Sequence, residues 1–384
     1  ALCPDLPEAH LGMARALAWV GYQEKALQAL NEAIRIAPGL ATAYLDRARI
    51  RAEQLESASH QMSEIVHTAA SEDLRRRIEE DLNRVAQISR DRREVLMARA
   101  ILTCTSGRYA ESLLLFDEYL REIPTDTHAR GSRGHALYHL GRLGEAEADL
   151  SRAIEGNAHD VFLYNLRGFL RHELGRYEAA VEDFTNAIRL APGAASPYYG
   201  RARSWGALDR LDDAVMDATE ALQRNPNHAD AYLVRGNAHA KKKEWESSIR
   251  DYTRYIEFGR SLEDRYWGHF SRGLSLFSSR RYPQAISDFT KALTLKPDLT
   301  PAIQNRACAH LALRQFALAE ADYTRVIELL PDHGPAYCGR ATARKGLDKT
   351  AGAVQDARKA LSYPLAPPMK REMEDLLRDA GQAP

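Results

Sequence analysis

His135 and His139 lie four residues apart. That spacing puts two imidazoles on one helix face, where they can bind zinc. His128 and His172 are candidates to join them. However, the segment His135-Ala136-Leu137-Tyr138-His139 lacks the glutamate of the metalloprotease motif. Ordinary groove histidines are therefore the expectation, and no metal is predicted. Cys308 and Cys338 could meet on adjacent inner faces, but isolated cysteines usually pack as small apolar groups. Lys241-Lys242-Lys243 is a short basic run at a helix end, where the dipole favours cations, and it reads as a solvated turn. The chain carries no Walker loop, dinucleotide fingerprint or nucleophile elbow, and no visible sheet to build one on. It is read as a non-enzyme without a cofactor.

A second chemistry recurs along the whole sequence. Arginine returns at Arg47, Arg99, Arg133, Arg167, Arg201, Arg235, Arg272, Arg306 and Arg340. Aspartate follows the later seven as Asp149, Asp183, Asp217, Asp251, Asp288, Asp322 and Asp356. A planar guanidinium suits a carboxylate, and its stem can still pack. These residues are expected to pair as a structural Arg–Asp ladder, within one unit or to the next. The alternative is an anion-binding stripe of arginines.

The elements that position these residues repeat. Ala146, Ala180, Ala214 and Ser248 stand 34 apart, as do Ala285, Ala319 and Ala353. Between Ser248 and Ala285 the step is 37, which predicts three inserted residues within 261–265. In one unit, Tyr164, Gly168 and Arg171 form a stripe on a first helix. Ala180, Phe184 and Ala187 form the facing stripe on a second helix. Gly175 lies where the turn between them needs a permissive backbone, and Pro192 follows the second helix. Small side chains let the two helices approach, and the Phe184 ring fills the groove beside them.

This pattern resembles the tetratricopeptide repeat family. The small residue of the first helix is Ala14, Ala48, Ala100, Gly134, Gly168, Ala202, Gly236, Gly273, Ala307 and Ala341. That of the second is Ala26, Ser112, Ala146, Ala180, Ala214, Ser248, Ala285, Ala319 and Ala353. The closing proline is Pro38, Pro124, Pro192, Pro226, Pro297, Pro331 and Pro364. The resemblance implies an all-α fold, a right-handed α-solenoid superhelix of antiparallel helix pairs whose first helices line a concave face. Units are placed at 7–40, 41–92, 93–126, 127–160, 161–194, 195–228, 229–265, 266–299, 300–333 and 334–367. The ladder arginine stands where the family usually has an apolar residue.

The unit at 41–92 exceeds 34 residues by 18 and contains no Gly or Pro between Ala41 and Arg92. It is predicted to be one hairpin with arms about two turns longer than usual. The alternative is three helices broken near Glu56. Stripes run through Leu55, Met62, Ile65 and Val66, and through Leu74, Ile78, Leu82, Val85 and Ile88. A C-terminal capping helix is expected at about 368–380, with Met369, Met373, Leu376 and Ala380 facing the last repeat. Leu2-Cys3-Pro4-Asp5-Leu6 echoes Leu295-Lys296-Pro297-Asp298-Leu299. Residues 1–6 therefore read as the remnant of a preceding segment, and the chain as a fragment of a longer protein.

The resemblance implies ligands in the concave groove, touched by outward positions of first helices. Those are Phe162, Asn165, Phe169 and His172, then Tyr199 and Arg203, then Asn237 and Lys241. Further on they are Trp267, Phe270, Leu274 and Phe277, followed by Gln304 and Asn305. Aromatic anchors with a few amides and charges suit a protein or peptide partner. The same rings would also serve to pack neighbouring units. A carboxylate clamp for chaperone tails needs lysines that are missing, since Asn165 is followed by Phe169 and Leu233 precedes Asn237.

The 53 Lys plus Arg balance 53 Asp plus Glu, which argues against nucleic acid and an anionic membrane as partners. An RNA-reading helical array is the competing possibility, and it would want a basic inner face. Four scattered cysteines and no bilayer-length apolar run suggest a cytoplasmic setting. The expected role is an interaction scaffold or sensor within a larger signalling, defence or assembly protein.

Overall fold

The computed structural model describes residues 6–19, 22–61, 69–89 and 92–382. The expected remnant at 1–5, and the stripe positions Met62, Ile65 and Val66, lie outside the described residues. Every element among the described residues is an α-helix, and the helices come in antiparallel pairs.

The chain divides into two compact units, 1–193 and 194–384. The first unit holds α1 (Pro7–Trp19) with α2 (Gln23–Ile36), and α3 (Ala41–Gln61) with α4 (Ala69–Ile88). It continues with α5 (Arg92–Thr105) and α6 (Tyr109–Glu122), α7 (Thr127–His139) and α8 (Leu143–Gly156), and α9 (Val161–Glu173) and α10 (Tyr177–Leu190). The second unit opens with α11 (Ala195–Ala207) and α12 (Leu211–Arg224), then α13 (Ala229–Lys241) and α14 (Trp245–Phe258). It continues with α15 (Leu262–Ser278) and α16 (Tyr282–Leu295), and α17 (Thr300–Ala312) and α18 (Phe316–Leu329). It ends with α19 (Gly334–Gly346), α20 (Thr350–Leu361) and α21 (Pro367–Asp379).

Local chemistry sets the helix ends. Asp126 and Asp160 cap α7 and α9 by accepting hydrogen bonds from backbone N–H groups of the first turn. Ser261 and Asp264 form a reciprocal capping box at the start of α15. This cap starts α15 four residues before Tyr266, so the inserted residues lengthen the first helix to 17 residues instead of 13. The boundary expected at 265/266 therefore falls inside α15. In the long hairpin, α3 runs through Glu56 without a break and α4 packs against it, at 21 and 20 residues.

Pair packing follows size. A Cβ on Gly168 would stand 2.8 Å from the Phe184 ring, and one on Gly273 would stand 2.7 Å from Phe289. Both rings are wholly buried, so the first helix can come this close only without a side chain. Successive pairs share local apolar clusters within each unit. Helix α21 covers α19 and α20 with Met373, Leu376 and Leu377 buried. Met373 and Leu376 of the expected stripe are buried, whereas Met369 is 37% exposed and Leu377 is buried in addition.

Candidate functional site

Each of the seven expected Arg–Asp pairs closes inside its own repeat. The arginine Nε donates to Oδ2 and Nη2 donates to Oδ1 of the aspartate 16 residues later. The same geometry holds for Arg235–Asp251, Arg272–Asp288, Arg306–Asp322 and Arg340–Asp356, with all distances from 2.7 to 2.9 Å. The seven carboxylates are 1–8% exposed, so this fork is their main replacement for water. Burial would raise the Asp288 pKa, but hydrogen bonds from Arg272 and His269 outweigh it and hold the carboxyl below its ordinary value. The hydrogen bond to Asp356 in turn raises the Arg340 pKa.

The third guanidinium bond reaches back to the preceding repeat. Nη1 of Arg167, Arg235, Arg272, Arg306 and Arg340 donates to the hydroxyl of Ser151, Thr219, Thr253, Thr290 and Thr324 respectively, at 3.0–3.3 Å. In Arg133 the acceptor is Asp117, at 2.7 Å. The pairing is thus intra-repeat through the carboxylate and inter-repeat through the hydroxyl. Tyr44, Tyr164, Tyr198, Tyr232 and Tyr337, each three residues before a ladder arginine, lie 5.4–5.9 Å from its guanidinium carbon.

Two features escaped the sequence reading. Arg47 does have a carboxylate, Asp81, which accepts from its Nε at 3.1 Å and its Nη2 at 2.5 Å. Their separation of 34 is the usual 16 plus the 18 residues by which the long hairpin exceeds one stride, and that sum was the available signal. The hydroxyl partners were also legible, because Thr or Ser follows two residues after the ladder Asp in Asp149-Leu150-Ser151 and Asp217-Ala218-Thr219. Arg99 differs from the rest: Leu115 occupies the position 16 residues on.

The groove candidates fall into three classes. Phe162 is 51% and Trp267 37% exposed, and Asn237 and Lys241 are also exposed. Asn165, Phe169, His172, Tyr199, Arg203, Gln304 and Asn305 are half-buried. Phe270 is a correction: it is buried and packs on Phe289 at 6.0 Å between centroids. Leu274 and Phe277 lie partly buried against the same core cluster. Trp267 stands five residues before Arg272, as Phe162 does before Arg167, and both are exposed, whereas Phe270, two before Arg272, turns into the repeat. Lys241 bonds Asp209 at 3.1 Å and Lys242 bonds Asp212 at 2.6 Å, which ties the lysine run to the previous turn.

The histidines belong to an aromatic patch. His139 Nε2 lies 3.0 Å from His135 Nε2, and Cys104 Sγ lies 3.5 Å from His135 Nδ1. Tyr109 stacks on His139 at 4.3 Å, and Phe162 stands edge-on to His135 at 5.6 Å. Burial, then the neighbouring His139, pushes the His135 pKa down to about 4, so its ring is neutral near pH 7. Among the described residues no group of three or more His, Cys, Asp or Glu could hold a metal ion. Cys308 bonds Tyr323 OH at 3.2 Å, and burial pushes the Cys338 thiol up to about 11, so both sit as thiols.

Among the described residues no helix is long and apolar enough to cross a membrane. The C-terminal part of a TPR repeat-containing protein from Cytophaga hutchinsonii is 17% identical and has a TM-score of 0.52, covering 62% of this chain and 97% of its own. A tetratricopeptide repeat protein from Parabacteroides merdae is 19% identical with a TM-score of 0.46, covering 65% and 98%. YrrB, a TPR protein described as having an unusual peptide-binding site, is 21% identical with a TM-score of 0.44, covering 49% and 95%. No curated protein matches the chain. Family models described as Tetratricopeptide repeat match residues 97–161, 163–193 and 199–262. The chain is a multi-repeat protein that carries tetratricopeptide repeats within residues 97–262.

Proposed function

We propose that this chain holds a protein or peptide partner against the outward faces of its first helices, as a non-catalytic scaffold of a larger assembly. The observation that carries this reading is the Phe162 patch. A ring half open to water is held edge-on by His135, beside the His139–Tyr109 stack. Rigid rings fixed by neighbours lose little entropy on binding, which suits them as anchors. In the second unit, Trp267 offers a similar anchor, and its Nε1 donates to Glu263 at 3.3 Å.

The test is a displayed peptide library selected on the whole chain, followed by affinity measurement on Phe162→Ala and Trp267→Ala. Enriched peptides should lose roughly tenfold or more in affinity on at least one variant. A library that enriches nothing, together with tight binding of single-stranded RNA at physiological salt, would replace this reading with nucleic-acid recognition.

A further inference from the structure

The guanidinium of Arg99 lacks the carboxylate that the other ladder arginines of the described repeats possess. Leu115 stands where they have Asp, and Arg99 Nη2 donates only backward, to Asn83 Oδ1 at 2.7 Å. Its Nε is buried and has no hydrogen-bond partner among the described residues. A buried charged donor left without an acceptor is costly and calls for an absent partner. Beside it opens a cleft of about 500 Å³ between α4, α5 and α6. Val95, Leu96 and Leu115 give the cleft an apolar wall, and Arg92 stands at it too, paired with Glu118 at 2.5 Å. Among the described residues, with Arg99 unpaired, this lining carries one positive charge in excess. A cleft of the second unit that also reaches a ladder arginine, Arg272, is lined by the chain's own Asp288.

We propose that the Arg99 cleft is a binding site for a carboxylate carried on a small apolar body, which completes the interrupted ladder from outside the chain. The ligand's carboxylate accepts from the part of the Arg99 guanidinium that lines the cleft, while Leu115 keeps the place that Asp288 has beside Arg272. Its apolar part lies on Val95, Leu96 and Leu115. A free aliphatic acid and an acidic side chain of a peptide share this chemistry. The site does not draw on the Phe162 patch, so it stands or falls separately from the scaffold reading.

The test uses the whole chain with three probes followed by backbone NMR: hexanoate, its neutral analogue hexanamide, and the blocked dipeptide acetyl-Leu-Glu-amide. At least one acid should shift the amides of 95–99 and 115–118, and hexanamide should not. Arg99→Leu should weaken that binding at least tenfold. Leu115→Asp should abolish it, because the chain then supplies the carboxylate, and should raise Tm by about 2–4 °C. Whichever acid binds identifies the source. Shifts from neither acid, equal shifts from hexanamide, or unchanged binding by Leu115→Asp would overturn the proposal. So would a Leu115→Asp variant no more stable than the parent, since the slot would then be shown not to hold a carboxylate.

Discussion

The two units use one repeat but depart from it in opposite places. In the second unit every repeat has its Arg–Asp fork: Arg201, Arg235, Arg272, Arg306 and Arg340 each hold an aspartate 16 residues on. Its turns between paired helices are strained, because Asp209, Lys243, Arg280, Arg314 and Asp348 take φ of 56–62°. In the first unit, turns at Gly107, Gly141 and Gly175 take the same left-handed backbone without a Cβ penalty. There the ladder is irregular: Arg47 reaches across a long hairpin to Asp81, and Arg99 has no acid. The difference separates two requirements of the repeat. The turn needs a positive φ whatever the residue, whereas the ladder position can lose its acid without losing the helix pair.

The largest test of that separation is one substitution made twice. Arg235→Leu strands Asp251 in a buried site and should cost about 3–5 kcal/mol in chemical denaturation. Arg99→Leu breaks no ion pair and removes one exposed hydrogen bond, to Asn83, so its cost should stay near or below about 1 kcal/mol. Equal losses would mean that the fork is not what holds the second unit's repeats.

Acid should next distinguish the units. His135 titrates at about 4 when folded, against an ordinary 6.5 when unfolded. Its folded pKa is lowered, so the stability it contributes is present above pH 6.5. That stability is lost as pH falls towards 4, where only the unfolded chain has gained the proton. After allowance for partial exposure, the loss is about 2 kcal/mol in the first unit. Denaturation midpoints against pH should show this slope, and His135→Gln should flatten it. Asp288, also lowered when folded, adds a loss in the second unit only at pH below the ordinary carboxylate value of 3.8.

Packing of small on large is common to both units, so it should not distinguish them. Gly168→Ala and Gly273→Ala each push a methyl into a buried phenyl ring and should cost about 1–2 kcal/mol alike. The smallest effect sharpens the turn comparison. Arg280→Gly should stabilise the second unit by about 0.5–1 kcal/mol, whereas Gly141→Arg should cost the first unit a similar amount. Thermal melts of the four variants would check both statements.

The stride, the helix pairs, the glycines under phenyl rings and the Arg–Asp partners could all be read from the sequence. Each depends on residues a fixed distance apart on neighbouring helices, and a 34-residue period fixes that distance. The chain alone also determined that Arg99 has no aspartate in register. The tertiary structure decided that all 18 extra residues fall between Arg47 and Asp81, so that the lengthened hairpin changes their separation but not the contact. It also decided which rings face out. Phe162 and Phe270 have the same apolar character at outward-reading positions, yet one is half open and the other closed. Phe162 and the exposed Trp267 each stand five residues before their ladder arginine and Phe270 two before its own, and exposure depends on what the neighbouring helix lays over each of these positions, which the residue type alone does not state.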